Sequence, residues 1–221
     1  FELDAVSLAA RQQARGLESL LTPPVFMLLD ALLGDWEAAA RGDGEAVANG
    51  QYILVRRDAL LSIGGFAAVA GRPLDDVELA RALRAGGFRT GFLRAPEILS
   101  TRMYRGLAAT FRGWRRNLGL IFGGRPGFAA MLIAALAAAP LLALYLLAAA
   151  QPVAALLVWT AGAAASVSLR SGAGRSRAWG LAWPLDALTL AAALGLGVAD
   201  FRRGTLPSWK GRLLQAGRSR S

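Results

Sequence analysis

One long stretch without charge limits what this chain can fold into. Residues 127–169, 43 in all, contain no Asp, Glu, Lys, Arg or His. A helix needs only ~20 apolar residues to cross the hydrocarbon core of a bilayer, so the stretch predicts two membrane helices. Gln151 and Pro152 mark the turn between them. We therefore expect helices over about 127–149 and 153–169.

A third apolar segment, residues 179–199, carries a single charge, that of Asp186. Positive charge favours the cytoplasmic side of a membrane. Two passes return the chain to that side at Arg170, whereas a third full pass would place the basic tail, residues 201–221, outside. Charge parity therefore predicts that 179–199 forms a re-entrant or interfacial hairpin and that the tail stays on the cytoplasmic face.

The charge of the chain is distributed unevenly. The net charge is +10, from 25 Lys and Arg against 15 Asp and Glu. Residues 1–100 hold ten Arg and thirteen acids, whereas residues 101–126 hold six Arg and no acid. Because most of the positive charge adjoins apolar sequence, it indicates a membrane surface as the partner and argues against nucleic acid.

The absence of two residue types restricts the possible chemistry. The chain contains no Cys and no His. Imidazole bases, thiolate nucleophiles and Cys-ligated zinc are therefore excluded for this sequence. Catalysis would have to use carboxylates, Arg, hydroxyl groups or an imported ion.

Residues 1–100 have the pattern of the end of a soluble α/β unit. Apolar, β-prone runs predict buried strands, and two helical patterns each stop at a Gly-Gly pair. The predicted strands are 3–8, 51–55 and 88–93, and the predicted helices are 58–63 and 74–85. The apolar segment 23–36 is too short to span a membrane. It fits either a core helix or a helix that lies on the membrane surface.

Residues 101–126 predict an amphipathic basic helix. Apolar residues recur at spacings of four, three, four and three, which places them on one helical face: Leu107, Phe111, Trp114, Leu118 and Ile121. Arg105, Arg112 and Arg116 gather on the opposite face. Two interpretations remain open, since the Arg side chains can meet anionic lipid headgroups or bind a phosphate.

Several short motifs follow one another in a specific order. They are ANGQY (48–52), RRDAL (56–60), GGF (64–66), LDDVELARALRAGGF (74–88), TRMYRG (101–106), FRGWRRN (111–117) and WKGR (209–212). This order resembles the C-terminal half of the catalytic domain of membrane-bound family 2 glycosyltransferases. The resemblance is greatest to ceramide-glucosyltransferase-like and to hopanoid- or carotenoid-associated lipid glycosyltransferases.

The resemblance implies a fold and an organisation. Residues 1–100 would be the C-terminal part of a GT-A α/β catalytic domain, 101–126 an interfacial helix and 127–200 two or three membrane helices. The Asp-x-Asp motif that holds Mg²⁺ or Mn²⁺ and the sugar nucleotide would lie before residue 1. This chain alone would then be inactive and would hold no metal itself.

The resemblance also implies an activity and a location. The enzyme would be an inverting hexosyltransferase that moves one sugar from a nucleotide-sugar donor, UDP-linked, to a membrane lipid. It would be a multi-pass protein of the cytoplasmic (inner) membrane, with its catalytic part facing the cytoplasm. Two alternatives are a polysaccharide synthase of the same family and a non-catalytic membrane scaffold that binds anionic lipid.

The family's acidic pair maps onto Asp75 and Asp76. It makes Asp76 the general base that deprotonates the acceptor hydroxyl, a role that a carboxylate within hydrogen-bond reach can fill. At position 75, Asp replaces the usual Glu. The alternative interpretation is that an Asp caps the helix that starts near residue 76.

The family's Q/R-x-x-R-W motif maps onto Arg112 and Arg115. Their charge would stabilise the leaving diphosphate. Arg116 stands where the motif has Trp, and this departure argues against a processive synthase and for transfer of one sugar. Trp114 would offer a displaced aromatic surface to the substrate, or else face lipid.

Two glycine-containing loops match loops that border the sugar and the acceptor in the family. They supply Asn49, Gly50, Gln51, Gly64 and Gly65. Glycine lets a backbone approach a ligand closely, but strand edges and helix stops also use it. Arg102 and Tyr104 would contact substrate or anchor the chain at the membrane interface.

Overall fold

The structure, a computed structural model, describes residues 2–172 and 177–206. Five strands and eight α-helices lie within these residues. In chain order they are β1 (Ala5–Ala9), β2 (Arg11–Gln12), α1 (Thr22–Leu33), α2 (Trp36–Arg41), β3 (Ile53–Val55), α3 (Arg57–Ser62), α4 (Asp75–Ala85), β4 (Thr90–Arg94), β5 (Ser100–Thr101), α5 (Leu107–Phe122), α6 (Pro126–Ala148), α7 (Pro152–Gly172) and α8 (Trp183–Arg203). The described residues also contain three short 3₁₀ helices, Gly16–Leu20, Gly65–Val69 and Arg177–Ala182.

The described residues divide into two compact units. The first comprises residues 2–13 and 33–103, and the second comprises 14–32 and 104–206. Residues 14–32 therefore group with the helical unit, although the sequence pattern placed them with the α/β part.

The first unit is built on a small mixed sheet in the order β3-β1-β4, with β1 antiparallel to β3 and parallel to β4. A second sheet pairs β2 with β5 in parallel. Leu79 and Leu83, four residues apart on α4, share one helical face and pack with Ala5, Ala59 and Val69 in a buried core. The predicted strands and helices of residues 1–100 are confirmed, with boundaries shifted by one or two residues. The α/β class is likewise confirmed.

In the second unit, glycines bring α5 and α8 together. A Cβ on Gly119 would strike the carbonyl of Gly197, and one on Gly197 would strike the carbonyl of Arg115. Gly123 similarly makes room for the ring of Phe201. Small residues let two helix backbones approach closely, which is the usual way that apolar helices associate in a membrane.

The buried face of α5 differs from the predicted apolar stripe. Ile121 is exposed, whereas Arg116, predicted on the opposite face, is only 8% exposed. Its guanidinium donates to the side-chain oxygen of Asn117, and Asn117 donates to the hydroxyl of Tyr104. The placement of Arg116 among exposed arginines is therefore wrong, because a hydrogen-bond network stabilises its charge inside the unit.

The apolar C-terminal sequence forms three helices. Two helical stretches, Pro126–Ala148 and Arg177–Arg203, are long and apolar enough to span a membrane, whereas the apolar part of α7, Pro152–Ser168, is shorter. The turn predicted at Gln151 and Pro152 is confirmed, since α7 begins at Pro152. The hairpin predicted for 179–199 is wrong, because α8 continues without a break from Trp183 to Arg203. The WKGR motif lies outside the described residues.

A buried ion pair joins the end of α7 to the start of α8. The guanidinium of Arg170 bonds to the carboxylate of Asp186 and also donates to the carbonyl of Ser19 at 3.2 Å. Arg170 is fully buried and Asp186 nearly so. A charge removed from water is tolerated when it is paired in this way, so each residue stabilises the burial of the other.

Gly197→Ala tests the close approach of α5 and α8. The new Cβ meets the backbone of α5, so we expect a loss of about 2 kcal/mol in the free energy of unfolding. Gly195→Ala is the matched control, because its Cβ would meet only the end of the Ile133 side chain at 3.4 Å. The control should be neutral or stabilise by up to about 1 kcal/mol, since Ala favours helix. Thermal unfolding of both variants in detergent measures the difference, and equal stability would contradict the packing.

Candidate active site

Asp76 lies in the first turn of α4, with its carboxylate held by two backbone N–H groups. Gly50 N–H donates to its Oδ2 at 2.7 Å, and Val77 N–H donates to its Oδ1 at 2.8 Å. The side chain is half-buried. Burial raises the pKa of Asp76 above its ordinary value, and the charge of Asp75 adds to this, although the two N–H groups oppose them. The result is a fixed carboxylate that is more basic than an ordinary Asp.

Asp75 differs from its neighbour. Its side chain is exposed, and its Oδ1 accepts only a 3.1 Å hydrogen bond from the N–H of Asp76. The N-cap position is occupied by Leu74, whose φ of 56° is left-handed and whose side chain makes no cap. Neither Asp is therefore the N-cap, although both carboxylates lie where the helix dipole favours negative charge.

The loop at residues 49–51 is fastened to β1 and to the strand that follows it. The Ser7 hydroxyl accepts from the N–H of Asn49 at 2.8 Å and donates to its carbonyl at 3.0 Å. The side-chain amides of Gln12 and Gln51 donate to each other at 2.9 and 3.3 Å. Asn49 in turn accepts from the N–H of Gln51 at 3.1 Å. These bonds fix the position of the N–H that holds Asp76.

Gly50 gives Asp76 room to approach the loop backbone. A Cβ at position 50 would lie 3.3 Å from the Asp76 Oδ2. The structure thus brings Asn49, Gly50 and Gln51 together with the acidic pair, as the motif order predicts. Their contacts with a sugar or an acceptor remain a prediction.

Gly64 and Gly65 allow the backbone to turn at the end of α3. Their φ angles are 89° and 68°, values that L side chains rarely adopt. Among the described residues, no hydrogen bond links either glycine to Asp76. Their predicted place beside the substrate therefore rests on the motif alone.

The arginines of the R-x-x-R motif lie in the second unit, on α5. Arg112 is exposed, whereas Arg115 makes a two-point ion pair with Asp200 of α8, at 2.6 and 2.8 Å. The sequence pattern did not predict that Arg115 pairs with Asp200. Its partner is 85 residues away, and no periodic signal links them.

Trp114 is packed inside the second unit. Its ring is 3% exposed and makes edge contacts with Phe26 at 5.2 Å and with Tyr104 at 6.0 Å. The indole therefore does not face outward toward lipid, and its predicted contact with a substrate gains no support. Burial also raises the pKa of the Tyr104 phenol.

The described residues offer no ligand set for a metal. No group of three or more His, Cys, Asp or Glu side chains among them could hold an ion. The metal that the family resemblance implies therefore stays a prediction.

Comparison with known proteins identifies the class. A family model described as glycosyl transferase family 21 matches residues 13–215. The chain therefore belongs to glycosyl transferase family 21, and the prediction of a glycosyltransferase is confirmed at this level. No curated protein and no solved structure matches the chain.

Ser7→Ala tests the fastening of the candidate site to β1. Ser7 is buried, and its removal leaves the N–H of Asn49 without its partner, so we expect a loss of about 2 kcal/mol in stability. Ser62→Ala is the control, because this exposed serine bonds only to Ala59 within its own helix. Denaturant unfolding of both variants measures the effect. A loss of similar size in both would argue against the fastening.

The pH dependence of stability tests the environment of Asp76. Its pKa is raised in the fold, so ionisation destabilises the folded state as the pH rises from the unfolded pKa through the folded one. The stability of Asp76→Asn relative to wild type should therefore increase with pH across this window.

Asp58→Asn should show the opposite sign. The hydrogen bond from Arg56 lowers the pKa of this exposed carboxyl, so its ionised form favours folding above the unfolded pKa. Unfolding midpoints of the three proteins between about pH 2 and 7 check both signs, since the window for Asp58 lies below the ordinary pKa of Asp and that for Asp76 lies above it. A pH-independent difference between Asp76→Asn and wild type would contradict the raised pKa.

Proposed function

We propose that the protein is an inverting lipid glycosyltransferase of the ceramide-glucosyltransferase-like type. The enzyme moves a single sugar from a nucleotide-sugar donor, UDP-linked, to the hydroxyl of a lipid that stays in the membrane. Asp76 is its general base. The family match supports the transfer of a sugar, and the finer assignments rest on the geometry around Asp76.

The observation that carries the proposal is the setting of the Asp76 carboxylate. It is half-buried and oriented by two N–H groups, and its pKa is raised toward the operating pH of a base. A carboxylate in this setting takes a proton more readily than an exposed Asp. The proton of the acceptor hydroxyl passes to the carboxylate as the oxygen attacks the anomeric carbon.

The leaving diphosphate needs positive charge. We assign this role to Arg112 and Arg115, which keep the spacing of the family motif. A divalent ion would neutralise further charge, but the described residues provide no ligand set for it, so none of them is given that role. Asp75 is proposed to raise the pKa of Asp76 through its negative charge rather than to take the proton.

The helical unit supports a lipid acceptor. The outer surface of α6 exposes large apolar side chains, among them Met131, Leu144, Tyr145 and Leu147. With two stretches long enough to span, this surface fits a multi-pass protein of the inner membrane. The six arginines and no acids of residues 101–126 favour a cytoplasmic position for the catalytic part.

Transfer of one sugar is favoured over polymer synthesis. A processive enzyme of this type needs an aromatic ring on which the growing chain can stack. Here the motif Trp is replaced by Arg116, and the neighbouring Trp114 is enclosed by protein.

Transfer by the full-length protein in membranes tests the proposal. A panel of UDP-sugars with extracted lipids should give a glycolipid with wild type, and Asp76→Asn should lose at least ~100-fold in kcat, in line with removal of a general base. Asp58→Asn, an exposed carboxyl, should retain full activity. The acid limb of the wild-type pH profile should lie above the ordinary pKa of Asp. A non-catalytic scaffold would show no donor binding and no turnover across the panel.

A further inference from the structure

We propose that Asp200 is a positioning residue that orients the guanidinium of Arg115 toward the leaving diphosphate. The inference rests on the proposed function, since it needs Arg115 to bind that group. It makes α8 part of the catalytic scaffold as well as a membrane helix.

Arg115 and Asp200 form an ion pair with two parallel hydrogen bonds. Arg115 Nε donates to Asp200 Oδ2 at 2.6 Å, and Arg115 Nη2 donates to Oδ1 at 2.8 Å. Two parallel bonds of this kind fix both the position and the plane of a guanidinium. The carboxylate is 7% exposed, whereas the Arg115 side chain is 33% exposed. The buried carboxylate of Asp200 therefore holds the more exposed side chain of Arg115 in place.

The guanidinium of Arg115 keeps N–H donors that Asp200 does not use. A guanidinium has five N–H groups, and Asp200 accepts from two of them. Both N–H groups of Nη1 and one of Nη2 are left, and one N–H from each nitrogen lies on the edge between Nη1 and Nη2, which does not face the carboxylate. That edge can bind two oxygens of a phosphate group, so the ion pair and diphosphate binding are compatible.

Asp200 occupies an unfavourable position for a carboxylate. It lies in the last turn of α8, where the helix dipole disfavours negative charge. Its position therefore does not serve the helix itself. The contact of Gly119 with Gly197 fixes this end of α8 against α5, one turn from Arg115. Arg112 has no ion pair among the described residues, so a carboxylate orients Arg115 alone of the two motif arginines.

Donor kinetics of the full-length protein test the inference. Asp200→Asn should raise the KM for the UDP-sugar ~10-fold, because it removes one charge-assisted bond and frees the guanidinium to rotate. The KM for the lipid should change little. Asp200→Glu, which keeps the carboxylate, should recover most of the donor affinity. Asp58→Asn is the control for loss of a carboxylate elsewhere.

Arg115→Lys covers the case in which Asp200→Asn folds poorly, and a double-mutant cycle measures the coupling of the two residues where it folds. Arg115→Lys keeps the charge but loses the two-point geometry, so it should raise the donor KM by itself. Adding Asp200→Asn should then have little further effect, because the pair acts as one unit.

The outcomes separate the inference from the function. An unchanged donor KM in Asp200→Asn, with active wild type, overturns the inference and leaves the function standing. Recovery of both stability and donor KM in the exchanged pair, Arg115→Asp with Asp200→Arg, shows a purely structural ion pair and overturns it as well. Absence of transfer by wild type across the panel overturns the proposed function, and the inference with it.

Discussion

Where Gly119 and Gly197 face each other, α5 and α8 come so close that a single methyl group on either would meet the other backbone. This approach sets the distance between the two helices. It brings the carboxylate of Asp200 within 2.6 Å of the guanidinium of Arg115, and it orders the basic motif on a rigid surface. Residues with longer side chains at these positions would separate the helices and lengthen the ion pair.

The α/β unit achieves order by different means. Its loop at residues 49–51 has little apolar side chain to bury, so hydrogen bonds from Ser7 and Gln12 hold it instead. The loop in turn fixes the N–H of Gly50, and this N–H binds the carboxylate of Asp76. In both units, a glycine permits a close approach and a polar side chain fixes the geometry that results. The two candidate functional groups are thus positioned by the same combination of features.

Much of the fold was predictable because its signals are local. The run at 51–55 and the helical pattern at 74–85 each specify an element without reference to the rest of the chain, and the motif order indicated Asp76. The partners of the site were missed because Ser7 and Asp200 act over 42 and 85 residues. Periodicity predicted the helix α5 and the burial of Trp114 and Leu118, but it misplaced Arg116 and Ile121 because it scores hydrophobicity and ignores hydrogen-bond partners. Charge parity failed for 179–199 because it counts loop charges and ignores backbone continuity.

The ion pair of Arg170 and Asp186 has a consequence for how the chain is assembled. Each charge is buried, and each is neutralised by a residue of the neighbouring helix. In the membrane arrangement that we propose, α7 alone would carry an uncompensated cation, and α8 alone would carry an uncompensated anion. The two helices would then enter a bilayer more favourably as a preformed pair than one after the other. Biogenesis of the C-terminal region would then proceed in helical pairs, with the last helix needed before its predecessor is stable.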